Sequence, residues 1–512
     1  MQPSRDHRGG PPGVAATGRA GRPRRVSRSR LGLLIGLGLV TMRPGVAAQE
    51  PGPPATSSAE PTDDRSPPNS SEAADVSRPR DTSAGRTDRQ PTERIQRPRL
   101  PIPSLSSAVQ ESREAPPHPK ESRLLDQALG IPESSDFSAF GWIENGFTGN
   151  PGMPSNGLNF GVNPNNLANQ WMGNQYYLVL TEKLRQDDTI NFGFRVDALF
   201  GNDWQFNHMQ GLLDRAFRLN SFLGFDPAQF YLSVHLPILT PRGLDIIGGR
   251  WYTIAGFEGV PALSRPLQSV AYMFNYGQPF THFGMLSTLH LSEHLDLFNG
   301  TINGWDRWVN ETYRWGYIGG LSYTSEGARN HFALTGIWGP NQFPRFLPAN
   351  QPIYPTGYIN IPSLAGLPNP GYNRDDRTLL TWVFSHEWSK KLVQTFETDQ
   401  GWERSIPGLA SHGRNYAPQS DAWGGLANWF LYKFNEEYTG VWRAEWFRDV
   451  HGARTGFPGN FYEMTLGLII TPKPWLMIRP EIRLDWSQFS HPYDNGTSYD
   501  QLTLGLDAII RF

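Results

Sequence analysis

The sequence contains no cysteine. That excludes a disulfide framework and thiolate-held metal, and it is compatible with export. It also lacks any run of 18 apolar residues, so no stretch crosses a bilayer as a helix. A G-x-S-x-G elbow, a Walker loop and a Cys–His set are all missing. No cofactor and no nucleic-acid partner are expected. Mean hydropathy is low, at −0.48 with 38% hydrophobic residues. A transmembrane barrel escapes that test, because only alternate residues face lipid. Aromatic residues, by contrast, are plentiful: 17 Trp, 18 Tyr and 29 Phe, as interfacial girdles require.

The last stretch, Tyr499–Phe512, organises the rest. Leu502, Leu504, Leu506, Ala508, Ile510 and Phe512 alternate with Gln501, Thr503, Gly505, Asp507 and Arg511, Ile509 being the apolar exception. A period of two predicts a strand with one apolar and one polar face. Ending on an aromatic residue, it resembles the closing strand of outer-membrane β-barrels. That resemblance implies recognition of Phe512 by the barrel-assembly machinery.

Residues 1–48 read as a targeting segment. Arg22, Arg24, Arg25, Arg28 and Arg30 precede the apolar core Leu31–Val40, and Val46-Ala47-Ala48 offers small residues for cleavage before Gln49. Residues 49–130 form a tail rich in Pro, Ser and mixed charge. Up to about Lys120 it has too few apolar residues to offset its ordering entropy, so disorder and a periplasmic spacer or tether are expected. Within Glu121–Gly130, Leu124, Leu125, Ala128 and Leu129 have helical spacing and predict a short helix.

From Asp136 alternation persists, placing an all-β barrel over residues 131–512. Sixteen strands are expected, at about 136–148, 173–185, 188–200, 229–240, 242–253, 280–290, 294–304, 315–325, 330–339, 376–388, 391–402, 421–433, 436–448, 460–471, 475–487 and 499–512. Connections after even strands are tight, such as Gln186-Asp187, Ser389-Lys390 and Pro472-Lys473-Pro474. Those after odd strands are mostly long, such as Gly201–Ala228, Ile254–Pro279 and Pro340–Asp375. Short turns alternating with long loops are what a transmembrane antiparallel up-and-down barrel requires, and an even count puts both termini on the periplasmic side.

Several stretches carry a family resemblance. They are Gly141-Trp142-Ile143-Glu144, Gly193–Asp203, Tyr231–Gly249, Ala255-Gly256-Phe257-Glu258, Gln278–His282, Arg443–Asp449 and Arg479–Trp486. Over about residues 135–512 the chain resembles the OmpL-like β-barrel porins common in planctomycete genomes. The resemblance implies an outer-membrane channel and supplies no substrate.

Charge placement bears on the channel. Arg479, Glu481, Arg483 and Asp485 alternate with Ile478, Ile482, Leu484 and Trp486. Arg443 and Glu445, Glu397 and Asp399, and Arg195 and Asp197 follow the same pattern. An Arg or Lys facing lipid at mid-depth costs about 2–4 kcal/mol, so these faces are expected to line the lumen. There they form a salt-bridge ladder, or some of them set ion preference. Either Gly201–Ala228, with Asp203, Asp214, Arg215 and Arg218, or Ile254–Pro279, with Glu258 and Arg265, is expected to narrow the path. The Pro-rich loop at 340–375 reads as an external cap. His290-Leu291-Ser292-Glu293-His294 fits H-x-x-E-H, but a zinc site needs that pattern on a helix and here it straddles a turn. The expected function is diffusion of small hydrophilic solutes or ions across outer-membrane lipid. A non-conducting barrel whose loops bind a partner, and a barrel hydrolase, remain open. Oligomeric state is unassigned.

Overall fold

The computed structural model describes residues 124–132, 134–213, 217, 219, 222–310, 313–339, 376–406 and 419–512. The targeting segment, most of the tail, the loop at 340–375, and Asp214, Arg215 and Arg218 lie outside the described residues.

Sixteen strands form one closed antiparallel barrel, each bonded to its neighbours in sequence and β16 returning to β1. They are β1 (Phe137–Gly149), β2 (Gln170–Glu182), β3 (Asn191–Gly201), β4 (Gly224–Leu236), β5 (Leu244–Tyr252), β6 (Thr281–His290), β7 (Leu295–Ile302), β8 (Gly316–Thr324), β9 (Asn330–Gly339), β10 (Arg377–Ser389), β11 (Leu392–Ile406), β12 (Gln419–Lys433), β13 (Tyr438–Asp449), β14 (Gly459–Lys473), β15 (Leu476–Gln488) and β16 (Asp500–Arg511). A short helix, α1 (Leu124–Ala128), docks on β1 through Asp126, whose carboxylate accepts the Ala139 N–H at 2.6 Å and the Ser138 hydroxyl at 3.1 Å.

The period-two pattern becomes two faces. On β16, Gln501, Thr503, Asp507, Ile509 and Arg511 are buried, while Leu502, Leu504, Leu506 and Ile510 are exposed as a lipid-facing side requires. Ile509, the apolar exception, packs inside in one cluster with Trp142 and Tyr177. Exposed aromatics gather at both rims: Trp171, Trp315, Trp402 and Tyr499 at the long-loop end, Trp388, Phe434, Tyr438 and Trp475 at the short-turn end.

Strand boundaries differ from those expected at most strands, β2 starting and ending three residues earlier and β11 running four residues further; at β4 and β14 the difference falls at proline. β4 starts at Gly224 and runs through Pro227, where the β3–β4 register shifts between Asp197 and Leu199. β14 continues through Pro472, within the β14–β15 irregularity between Ile470 and Lys473. Proline lacks the N–H that a regular ladder needs, and an irregularity does not ask for it.

Candidate functional site: a segment held inside the barrel

The connection between β5 and β6 does not stay outside. Every residue from Ile254 to Phe280 except Ser264 is buried. Only Glu258 and Arg265 in this stretch carry charge. It has no long regular element, so its main-chain groups need partners from elsewhere; a buried one left unpaired costs about 1–3 kcal/mol.

The charged wall supplies them. Glu397 on β11 accepts the Phe257 N–H at 2.7 Å. Glu481 on β15 accepts those of Gln268 and Ser269 at 2.9 and 3.2 Å. Glu445 on β13 accepts those of Tyr272 and Met273 at 2.5 and 2.6 Å. Guanidinium groups serve the carbonyls. Arg479 donates to Ala262 and Arg265 at 2.9 and 2.7 Å, Arg443 to Ser269 at 2.6 Å, and Arg483 to Val270 at 2.7 Å. Carboxylates therefore take the N–H groups and arginines take the C=O groups, anchoring the segment to β11, β13 and β15.

The same wall groups balance one another. Arg443 bonds Glu258 at 2.9 Å and Glu463 at 2.5 Å, and Arg479 bonds Asp507. Arg265 reaches Glu144 on β1 at 3.2 Å. Gln175 on β2 holds Val260 O and Ala262 N at 2.8 and 2.9 Å. Trp423 donates to Gly277 O at 3.0 Å. Two long loops press on the segment. Asn163 donates to Asn275 at 2.6 Å, and the Tyr272 and Tyr493 hydroxyls meet at 3.0 Å. Burial pushes both phenols well above their ordinary range, so both stay neutral.

The ten charged residues expected on the lumen face are all buried. Glu397, Asp399, Arg443, Glu445, Arg479, Glu481 and Arg483 bond the segment directly. Asp485 instead bonds Arg483 at 2.9 Å and Gln501 at 3.0 Å. Arg195 and Asp197 pair with each other at 2.7 Å, and Asp197 also takes the Tyr177 hydroxyl. Phe512 lies against Gly141 at the β1–β16 seam. Sequence reasoning missed Glu144, Glu463, Asp507, Gln175 and Gln278. One signal was available: a 254–280 connection with two charges is poorly suited to water.

The H-x-x-E-H pattern does straddle the β6–β7 turn. His290 bonds Asp245 at 3.1 Å and Asp296 at 2.8 Å on neighbouring strands, while Glu293 and His294 lie in the turn.

Solved structures of similar fold include the outer-membrane channel DcaP of Acinetobacter baumannii, at 9% identity and TM-score 0.48, covering 74% of this chain and 99% of that one. The anion-selective porin from Comamonas acidovorans has 8% identity and TM-score 0.48, with 73% and 99% covered. OprB of Pseudomonas putida has 11% identity and TM-score 0.45, with 73% and 94% covered. No curated protein matches the chain. The family model described as "Putative beta-barrel porin-2, OmpL-like" matches residues 136–512, and the chain belongs to that family of outer-membrane β-barrel porins.

Proposed function

We propose that the chain is a passive porin: small hydrophilic solutes and ions diffuse through the barrel past the segment 254–280, with no chemistry and no cofactor. The observation that carries this reading is the segment itself. Charged wall side chains are spent on holding main chain inside the barrel, which narrows a path without assembling a nucleophile, base and oxyanion donors at one point. The wall carboxylates Glu397 and Asp399 tip the interior acidic, so a weak cation preference belongs to the same proposal. The short-turn end is read as periplasmic. On that reading α1 and Phe512 lie on the periplasmic side, residues 1–48 are a cleaved signal, and residues 49–120 are a spacer.

Liposome swelling with sugars of graded size tests the proposal. Uptake should fall off steeply with size. Proteoliposomes that swell no faster than empty ones would contradict it.

A second reading rests on the same burial. With nearly the whole segment covered, the barrel could be a non-conducting surface protein whose long loops engage a partner. Planar bilayers separate the two: discrete conductance steps support the porin, and a silent, correctly folded barrel supports the alternative.

A further inference from the structure

We propose that parts of two long loops lie against the outside of the barrel and enter the lipid leaflet at its long-loop end. The two arms are residues 211–213 with Phe217, Leu219 and Phe222, between β3 and β4, and residues 308–310 with 313–315, between β7 and β8. Both loops begin in the interior, where Met209 and Trp305 are buried. They cross the rim side by side. Gln210 and Arg307 form a parallel bridge there, the Gln210 N–H donating to the Asp306 carbonyl at 2.8 Å and the Trp308 N–H to the Gln210 carbonyl at 3.0 Å.

Beyond that crossing the chain lies on the outer wall. The Trp308 ring is 4.0 Å from that of Phe283 and 5.6 Å from that of Phe230, and all three are half-buried. Phe283 stands two residues from Met285, 57% exposed, and Phe230 two residues from Leu232, 73% exposed. Alternation therefore puts both rings on the lipid face of β6 and β4. The other arm behaves alike. Phe217 packs edge-on against Phe225 at 5.3 Å and accepts its N–H at 2.9 Å, and Phe225 stands across the ladder from Phe200, exposed on the outer face of β3.

What the arms then present is apolar. Leu213, Leu219 and Val309 are 59%, 62% and 55% exposed, Phe222 is exposed, and Tyr313 is 96% exposed. Among the described residues of the arms, the one charged side chain, Arg314, pairs with Asp376 at 3.1 Å. A clustered apolar surface of this kind marks contact with something other than water. Its continuity with the lipid-facing wall, through Trp308 on one side and Phe217 on the other, makes lipid the occupant. Trp315 and Tyr313 have the chemistry of the boundary between headgroups and acyl chains, so the arms fit at that depth. Other loops at this end lean inward instead, Asn163 and Tyr493 bonding the inserted segment. The inference needs the outer-membrane barrel and not the porin reading, so conduction has no bearing on it.

Because the chain has no cysteine, single-cysteine variants report one position each. Full-length Leu213→Cys and Val309→Cys, shown to be heat-modifiable, are labelled with a nitroxide in vesicles of phosphatidylcholine and phosphatidylglycerol. Electron paramagnetic resonance power saturation then compares access by oxygen, which concentrates in lipid, with access by a nickel chelate, which stays in water. Leu232→Cys on the outer wall is the lipid reference, and Thr497→Cys, exposed in the β15–β16 connection, is the water reference. Both arm labels should favour oxygen over the chelate several-fold more than the Thr497 label does, approaching the Leu232 label. Chelate access equal to that at Thr497 overturns the proposal. Labels shielded from both reagents and broadened by one another would show a second copy of the chain on this surface, and would overturn it too. If either variant fails to fold, Tyr313→Cys takes its place under the same criteria.

Discussion

Gly141 and Phe512 close the barrel together. Their main chains exchange N–H···O bonds at 2.9 and 3.0 Å, and the Phe512 ring lies 2.7 Å from where a Cβ on Gly141 would stand. That Cβ would also run into the Tyr177 carbonyl on β2. Only glycine leaves room for both neighbours. Gly141→Val should lower the yield of heat-modifiable barrel sharply, and so should Phe512→Asp, which puts a charge at the seam. Semi-native gel electrophoresis of outer-membrane fractions checks both. Unchanged assembly of Phe512→Asp would remove its role as an assembly signal and leave the fold untouched.

The anchoring of the segment gives a second prediction. Glu445→Leu strips the acceptor from two adjacent N–H groups, at about 1–3 kcal/mol for each. Glu445→Gln keeps one acceptor oxygen and should lose less. The expected result is a segment cut faster by protease in folded barrels, in the order Leu, Gln, wild type. Identical cleavage in all three would show that Glu445 does not hold the segment.

The barrel was legible because lipid enforces alternation at every strand, and β3 and β16 carry it almost without exception. The proline-containing ends of β4 and β14 were not, because Pro227 and Pro472 imitate a turn while the register absorbs them. The inner charges were legible as a face, yet their partners were not. Glu481 and Arg479 serve main-chain atoms more than 200 residues away, and a sequence displays no main-chain groups. For the same reason Gln278 looked like any polar loop residue.

Ion preference is the third prediction. Glu397→Gln with Asp399→Asn should move the reversal potential in a salt gradient towards anions. Charges further than about 8–10 Å from the ion path are screened by salt. Neutralising Glu436, 76% exposed in the turn between β12 and β13, should therefore do much less. Equal shifts from both changes would place the ion path away from β11.

The tail gives a fourth. Removing residues 49–120 while keeping the signal should leave barrel assembly and conductance as they were, since this stretch has no core-forming pattern. Loss of folded barrel in outer-membrane fractions would contradict the spacer assignment.

A fifth concerns alkaline pH. Burial raises the folded-state pKa of Tyr272 and Tyr493 above the unfolded value of about 10. The folded protein keeps these protons where the unfolded chain releases them, so stability falls as pH rises past the unfolded value. The thermal midpoint should be flat near neutrality and decline above about pH 10. The double variant Tyr272→Phe and Tyr493→Phe should decline less steeply. Matching slopes would mean that other groups govern alkaline unfolding.

The central claim is that the segment between β5 and β6 sets the path through a porin. Single-channel recording in planar bilayers tests it most directly, comparing the full chain with a variant in which residues 256–278 are replaced by a short Gly-Ser linker. Both proteins are first shown to be heat-modifiable. The account predicts a several-fold larger conductance and weaker ion preference without the segment. An unchanged conductance would show that the segment does not limit the path, and the account would fail.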